Sequence, residues 1–359
     1  MNYLDELKNF VILHANAQGI SKSDCNRVLQ KISNPDGASV GSWAYEWLAQ
    51  GDYLFSQRKM VEAMHHYNLG RFPFINSNLR EHTYQKCINT FHQLFIEKNN
   101  IKKLTIQHND HIIPFYFSSH DNKSAPLLFI VGGIVSIKEQ WYKFLQFGPK
   151  LGFSVVVVDL PGVGENPLHY HPNSYHYISG ILNAVEHQAN STRTHMVAMS
   201  FGGHLAIQQA IHDKRIKAIT TVGAPLHHFF TDTINWKKVP SITKQTLAHI
   251  SRISEKNLFA FLHNFKLSKN LLSQLDIPIY YIHSKQDEII PVAENIFLKK
   301  YSKYSKIIEF DDCHGSPHFL KSIKNYILLT LLETQPHRFL KILFRIKFHL
   351  SKFYEIILS

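Results

Sequence analysis

Thr194-His195-Met196-Val197-Ala198-Met199-Ser200-Phe201-Gly202-Gly203 decides how this chain is read. Thr194 to Met199 is a run of strand-type residues, a serine between small residues follows, and His204 to His212 is patterned as a helix. That is the layout of a nucleophile elbow, where a sharp strand-to-helix turn holds a serine hydroxyl in the open. The turn is crowded, so the residues two before and two after the serine must be small. Gly202 meets this on one side, and Ala198 stands where glycine is usual on the other.

Outward from the elbow, short apolar runs alternate with helix-length segments. Leu127 to Val131 ends in Gly132-Gly133, and Phe153 to Val158 ends in Asp159-Leu160-Pro161-Gly162. Ala218 to Val222, Ile277 to Ile282 and Lys306 to Phe310 continue the series. Such runs imply a mostly parallel sheet buried by helices on both faces. Leu104 to Gln107 and Ile112 to Phe117, around Asn109-Asp110, read as a hairpin before it. The stretch from about 226 to 270 is too long for a simple crossover. Its Trp236, Phe259 and Phe261 suggest a small helical cap insertion. Residues 1–100 read as helical, with Trp43 and Trp47 leading into Met60 to Asn68, a break at Arg71-Phe72-Pro73-Phe74, and Leu79 to Phe95.

In an open parallel sheet the active site forms beyond the carboxyl ends of the strands. Three chemically matched residues fall there in chain order: Ser200, Asp287 after the run ending at Ile282, and His314 after the run ending at Phe310. This is the serine, acid, histidine order of the α/β-hydrolases. His314 then takes the Ser200 proton, while Asp287 orients the ring and stabilises the imidazolium. Glu288 competes with Asp287, and His318 with His314. The backbone N–H groups of Phe201 and Ile134 are the expected oxyanion donors, the latter because Gly132-Gly133-Ile134 allows close backbone approach. Asp159 is read as fixing a turn with Gly162 and Gly164.

Composition bounds the function. With 44% hydrophobic and 18% charged residues, this 359-residue chain is a folded globular protein with room for an accessory domain. Cys25, Cys87 and Cys313 show no paired spacing and read as free thiols of a cytoplasmic protein. The start lacks a signal-peptide run, and no segment has the roughly 18 apolar residues of a spanning helix. The net charge of +12 comes from scattered Lys and Arg without a nucleic-acid-binding motif, so a solvated basic surface is expected, with no nucleic-acid partner. No phosphate loop, dinucleotide fingerprint or zinc-ligand spacing is present, so neither cofactor nor metal is expected.

The chain resembles the FrsA-like branch of the α/β-hydrolases, which includes 2,6-dihydroxypseudooxynicotine hydrolase and fungal enzymes that shorten polyketide pigment precursors. The resemblance rests on Gly132 to Glu139 as the oxyanion-loop segment, on Asp159 to Gly164, on the elbow, and on Trp43, Trp47, Ala63, Tyr67 and Arg71-Phe72-Pro73. It covers about Ser42 to Leu332. It implies a helical N-terminal lid (1–100), an α/β-hydrolase domain (101–332) and a pocket between them. It also implies a small-molecule substrate, aromatic or polyketide-like and bulky, cleaved at an ester or at a C–C bond beside a ketone. Some C–C hydrolysing relatives carry an acidic residue after the sixth strand; here that segment reads His227-His228-Phe229-Phe230-Thr231-Asp232.

Two other classes remain: a carboxylesterase or thioesterase without C–C activity, and a non-catalytic binding protein on a hydrolase scaffold. The intact serine, acid and histidine speak against the second. The tail, 333–359, lies outside the resemblance. Phe339, Leu343, Ile346, Leu350, Phe353 and Ile357 form one apolar stripe at helical spacing, with Arg338, Lys341, Arg345 and Lys352 largely off it. Such a basic amphipathic helix can dock on its own core, join a homodimer, or make peripheral contact with an anionic membrane. Docking of the stripe on protein is the expectation.

Overall fold

The computed structural model describes residues 2–96, 100–335 and 338–358, without the side chains of Arg338 and Leu358. Five helices come first: α1 (Tyr3–Ala17), α2 (Lys22–Leu29), α3 (Trp43–Ser56), α4 (Met60–Arg71) and α5 (Asn78–Phe91). Asn2, Ser21 and Ser77 cap α1, α2 and α5 by accepting first-turn backbone N–H groups. Trp43 and Trp47 pack in this layer, their rings 6.1 Å apart, and Trp43 Nε1 donates to the Leu69 carbonyl.

The antiparallel hairpin β1 (Ile101–His108) and β2 (His111–Ser118) then opens one sheet. It continues with β3 (Pro126–Val131), α6 (Tyr142–Phe147), β4 (Ser154–Val158), α7 (Tyr177–Val185), β5 (Asn190–Met199), α8 (Phe201–His212) and β6 (Ile216–Val222). The insertion after β6 is helical: α9 (Thr233–Lys238), α10 (Ser241–Ser251), α11 (Glu255–Leu262) and α12 (Lys269–Ser273). β7 (Ile279–Ser284), α13 (Ala293–Tyr301), β8 (Ser305–Phe310), α14 (Leu320–Glu333) and α15 (Arg338–Leu358) complete the chain. The strand order is β1-β2-β4-β3-β5-β6-β7-β8, parallel from β4 onward. Every residue of β3 and β4 is buried, as a sheet covered on both faces requires.

A buried ionic knot ties the loop after β3 to the loop after β4. Lys138 Nζ, with no solvent exposure, lies 2.9 Å from Glu139, 2.9 Å from Asp159 and 2.7 Å from Glu165. The Lys138 backbone N–H donates to the other Asp159 oxygen at 2.7 Å, and Tyr116 donates to Glu139 at 2.9 Å. Burial alone lowers an ammonium pKa, but the surrounding carboxylates outweigh it and hold Lys138 well above the ordinary lysine value. Asp159 does fix its turn: Gly164 sits at φ +56, and a Cβ there would meet the Asp159 carboxylate at 2.6 Å. Its larger part, holding Lys138, was not read from the sequence.

α15 packs along α14, but not by the stripe expected. Phe348 and Ser351 are buried, Phe348 meets Tyr326 with rings 5.2 Å apart, and Glu355 accepts the backbone N–H groups of Lys321 and Ser322. Of the expected stripe, Leu343 is half-buried, while Phe339, Ile346, Leu350, Phe353 and Ile357 are exposed. The period was right and the face wrong, because Ser351 and Glu355 make the docking surface partly polar.

Lys138→Met is expected to lower stability by about 3–5 kcal/mol, the usual effect of leaving buried partner charges uncompensated. Thermal unfolding should show it as a fall in Tm of roughly 10 °C. Lys103→Met should change stability by less than about 1 kcal/mol, since that ammonium reaches Glu165 from a partly exposed position.

Candidate active site

The residues expected to act together converge at the carboxyl ends of β5, β7 and β8. Ser200 stands between β5 and α8 at φ +52 and ψ −122, a backbone conformation held by the packing around it. A Cβ on Gly202 would come within 2.4 Å of the Gly132 carbonyl oxygen, and one on Gly203 within 2.0 Å of Thr221 Oγ1. Ala198 keeps its methyl because it is an ordinary buried β5 residue between Val131 and Thr221.

His314 Nε2 lies 3.1 Å from Ser200 Oγ, and its Nδ1 lies 3.0 and 2.9 Å from the two Asp287 oxygens. Asp287 is itself fixed by the backbone N–H groups of Ile289 and Ile290, at 2.9 and 2.7 Å. Burial pulls the His314 pKa down, but the Asp287 charge and hydrogen bond outweigh it, so the net shift is upward. The two competitors lie elsewhere. Glu288 accepts the backbone N–H of His314 at 2.9 Å and thus positions its main chain, while His318 is exposed and paired with Asp312 at 2.8 Å.

Phe201 opens α8, so its N–H belongs to the first turn, where backbone donors lack intrahelical acceptors and the helix dipole is positive. Ile134 lines the same cavity as Ser200. The Gly132-Gly133 backbone passes directly over the serine, since a Cβ on Gly133 would meet Ser200 Cβ at 3.3 Å. This loop is clamped at two points. Lys138 holds its far end, and Arg71 of α4 holds its middle. Arg71 is buried; it donates to the Val135 carbonyl, to Pro73 O at 3.2 Å and to Asn68 Oδ1 at 2.8 Å.

The cavity over Ser200 is about 260 Å³. Its roof is α1 with its C-cap, through Phe10, Leu13, His14, Ala17 and the capping Gln18, and its far wall is α14, through Leu320 and Ile323. None of these residues was singled out in the sequence. The available signal was the four-residue recurrence of Leu7, Val11 and Ala15, which are buried and leave Phe10, His14 and Gln18 on an adjoining face. Conversely, Trp43, Trp47, Trp236, Phe259 and Phe261 do not line this cavity. Trp236 packs on Phe259 and Phe261 on Phe265 within the insertion. Burial first, then the charges of Arg71 and His314, push His14 down to about 3, so its ring is neutral. Trp141 Nε1 also borders the cavity, buried without a hydrogen-bond partner.

The segment after β6 carries no acid into the site: Asp232 caps α9 by accepting from Ile234 and Asn235. Buried Glu294 of α13 holds that segment instead, accepting the N–H groups of Leu226, His227 and Phe229 at 3.0, 2.9 and 2.8 Å. Among the described residues, no group of His, Cys, Asp or Glu has the arrangement to hold a metal ion, and no helix is long and apolar enough to cross a membrane. Cys25, Cys87 and Cys313 are free.

A parallel sheet that presents a serine at a strained strand-to-helix turn defines the α/β-hydrolase class. Residues 126–270 match the alpha/beta hydrolase fold family model. The solved structure of AbyA5 is 32% identical and superposes with a TM-score of 0.92, covering 97% of this chain and 99% of that one. Esterase FrsA of Klebsiella pneumoniae (strain 342) is 22% identical over 327 residues, 81% of this chain and 77% of the relative. The structure of 2,6-dihydroxy-pseudo-oxynicotine hydrolase, 15% identical with a TM-score of 0.71, shares the fold over 89% of this chain and 96% of that one. The chain belongs to the α/β-hydrolases, in their FrsA-like branch, and is a hydrolase.

Arg71→Lys tests the clamp on the loop. A lysine cannot reproduce the forked contacts to Val135, Pro73 and Asn68. The turnover rate is expected to fall up to about 100-fold, the scale of a 1 Å misplacement at a reacting centre, with KM much less affected. Steady-state kinetics beside a thermal melt that stays cooperative would show it.

Proposed function

We propose that this enzyme hydrolyses an acyl compound by serine catalysis, with Ser200 as nucleophile, His314 as general base and Asp287 as the residue that orients His314. The observation that carries the reading is the continuous chain from Ser200 Oγ through both ring nitrogens of His314 to Asp287. His314 removes the Ser200 proton as Oγ attacks the carbonyl carbon. The oxyanion that forms is met by the N–H groups of Phe201 and Ile134, donors whose individual removal costs roughly 3 kcal/mol in comparable sites. The leaving group departs with the proton from His314, and a water activated by the same ring releases the acid.

The substrate we propose is a small molecule with an apolar, aromatic or polyketide-like body. An apolar lining with a few polar groups is the usual character of such a site. Among its polar groups, neutral His14 and the Trp141 N–H suit a second oxygen on the substrate beside the scissile carbonyl. At about 260 Å³ the cavity falls just short of the roughly 300–1,000 Å³ that takes drug-sized ligands. A bulky substrate therefore extends through the mouth or displaces α1, which acts as the lid. The esterase names of the FrsA relatives favour an ester as the bond cleaved. Cleavage of a C–C bond beside a ketone is the second reading, which rests on the resemblance to the FrsA-like branch, several of whose members cleave such a bond.

Ser200→Ala should reduce hydrolysis of an aryl-ester panel by several powers of ten while leaving circular dichroism unchanged. A folded, active Ser200→Ala enzyme would refute the mechanism. The pH profile supplies a second measurement. His314 must be neutral to accept the proton, so kcat/KM should fall as pH drops through its pKa, which lies above the ordinary 6.5. Asp287→Asn removes the charge that raises it, so the acid limb should move to lower pH while the plateau falls by up to roughly 10⁴-fold. Glu288→Gln removes a weaker raising charge, so it should move that limb less and be mild in its effect on the plateau.

A further inference from the structure

Among the described residues, nothing covers the outward face of α15. Phe339, Ile342, Ile346, Leu350, Phe353 and Ile357 lie on it, with exposures from 52% at Ile346 to 76% at Phe339. Their helical positions form one continuous strip about 27 Å long. Single exposed apolar residues are ordinary on a protein surface, but a contiguous strip of six is a binding surface. Lys341, Arg345 and Lys352 border the strip on one side and Lys347 on the other. The helix's one acidic residue, Glu355, is turned inward onto Ser322 and the Lys321 backbone.

This charge pattern selects the occupant. A second copy laid on the strip would bring two rows of lysine and arginine together, on chains that each carry +12. An anionic lipid surface meets both features at once: acyl chains take the apolar strip, and headgroups meet the flanking cations. Lys347 is exposed and Arg345 keeps 60% exposure while paired with Glu333, whereas Lys341 and Lys352 lean on the Glu333 and Glu309 carbonyls. We propose that α15 is an in-plane anchor that rests on an anionic bilayer, its strip sunk roughly 5–10 Å into the headgroup boundary. The rest of the fold is compatible with that pose. A groove lined by Asn16, Lys321, Lys324 and Glu355 runs beside α15 and shares Pro317, Leu320 and Lys324 with the cavity over Ser200. The groove beside the anchor and the active-site cavity therefore share a wall.

The test is flotation of the full chain with vesicles of phosphatidylcholine alone and of phosphatidylcholine mixed with phosphatidylserine. The expected result is flotation with the anionic vesicles only, weakening as salt is raised. The double variant Ile346→Asp, Leu350→Asp should lower it about ten-fold or more. Both positions are exposed, so circular dichroism and hydrolysis of a water-soluble ester should be unchanged, which separates this proposal from the catalytic one. Wild-type protein that floats with neither vesicle, or equally with both, overturns the proposal. So does a dimer in light scattering that the same double variant splits, since the strip would then belong to a second copy.

Discussion

One ammonium group, shut away from water among three carboxylates, fixes the geometry on which the site depends. Lys138 cannot leave its place without stranding Asp159 and Glu139 in the interior, and a stranded buried charge costs far more than a surface pair contributes. The same residue ends the loop that crosses over Ser200. The loop's course is thus set by electrostatics below it, and by Arg71 from the side. Two glycines supply the thinness that lets the backbone approach the serine, and the two cations supply the rigidity. Neither alone makes a pre-organised site.

The parts of the fold legible in the sequence were those governed by local rules. Alternating apolar runs gave the sheet, because a strand buried on both faces has no polar residue to spare, and β3 and β4 are buried throughout. The elbow was legible because crowding leaves few residue types at Gly202 and Gly203. Ser200, Asp287 and His314 were legible by order after strands, and they meet within hydrogen-bonding distance. What escaped was long-range. Nothing near Lys138 in the chain announces Asp159 as its partner, and nothing in α1 announces that it roofs a cavity whose base is two hundred residues away. Trp236 and Phe259, which marked the helical insertion, pack against each other within it and stay outside the cavity. An aromatic side chain is as valuable to a core as to a ligand, and composition does not separate the two.

The tail shows the same limit. Helical spacing located an amphipathic stripe on α15, yet the docked face is the one carrying Ser351 and Glu355. Hydrophobicity predicts the inside of a helix only when the surface it meets is apolar. Here α14 offers the Ser322 hydroxyl and first-turn N–H groups, so a carboxylate and a serine make the better fit.

Arg71 joins two bodies that must move together. Its guanidinium belongs to α4, and its acceptor, the Val135 carbonyl, belongs to the loop over the serine. Coupling of this kind runs equally in both directions. A ligand that steadies the loop also tightens the grip of the N-terminal helices, and loosening those helices frees the loop over Ser200. On the proposed mechanism, catalysis at Ser200 is thereby tied to how firmly the N-terminal helices hold their place.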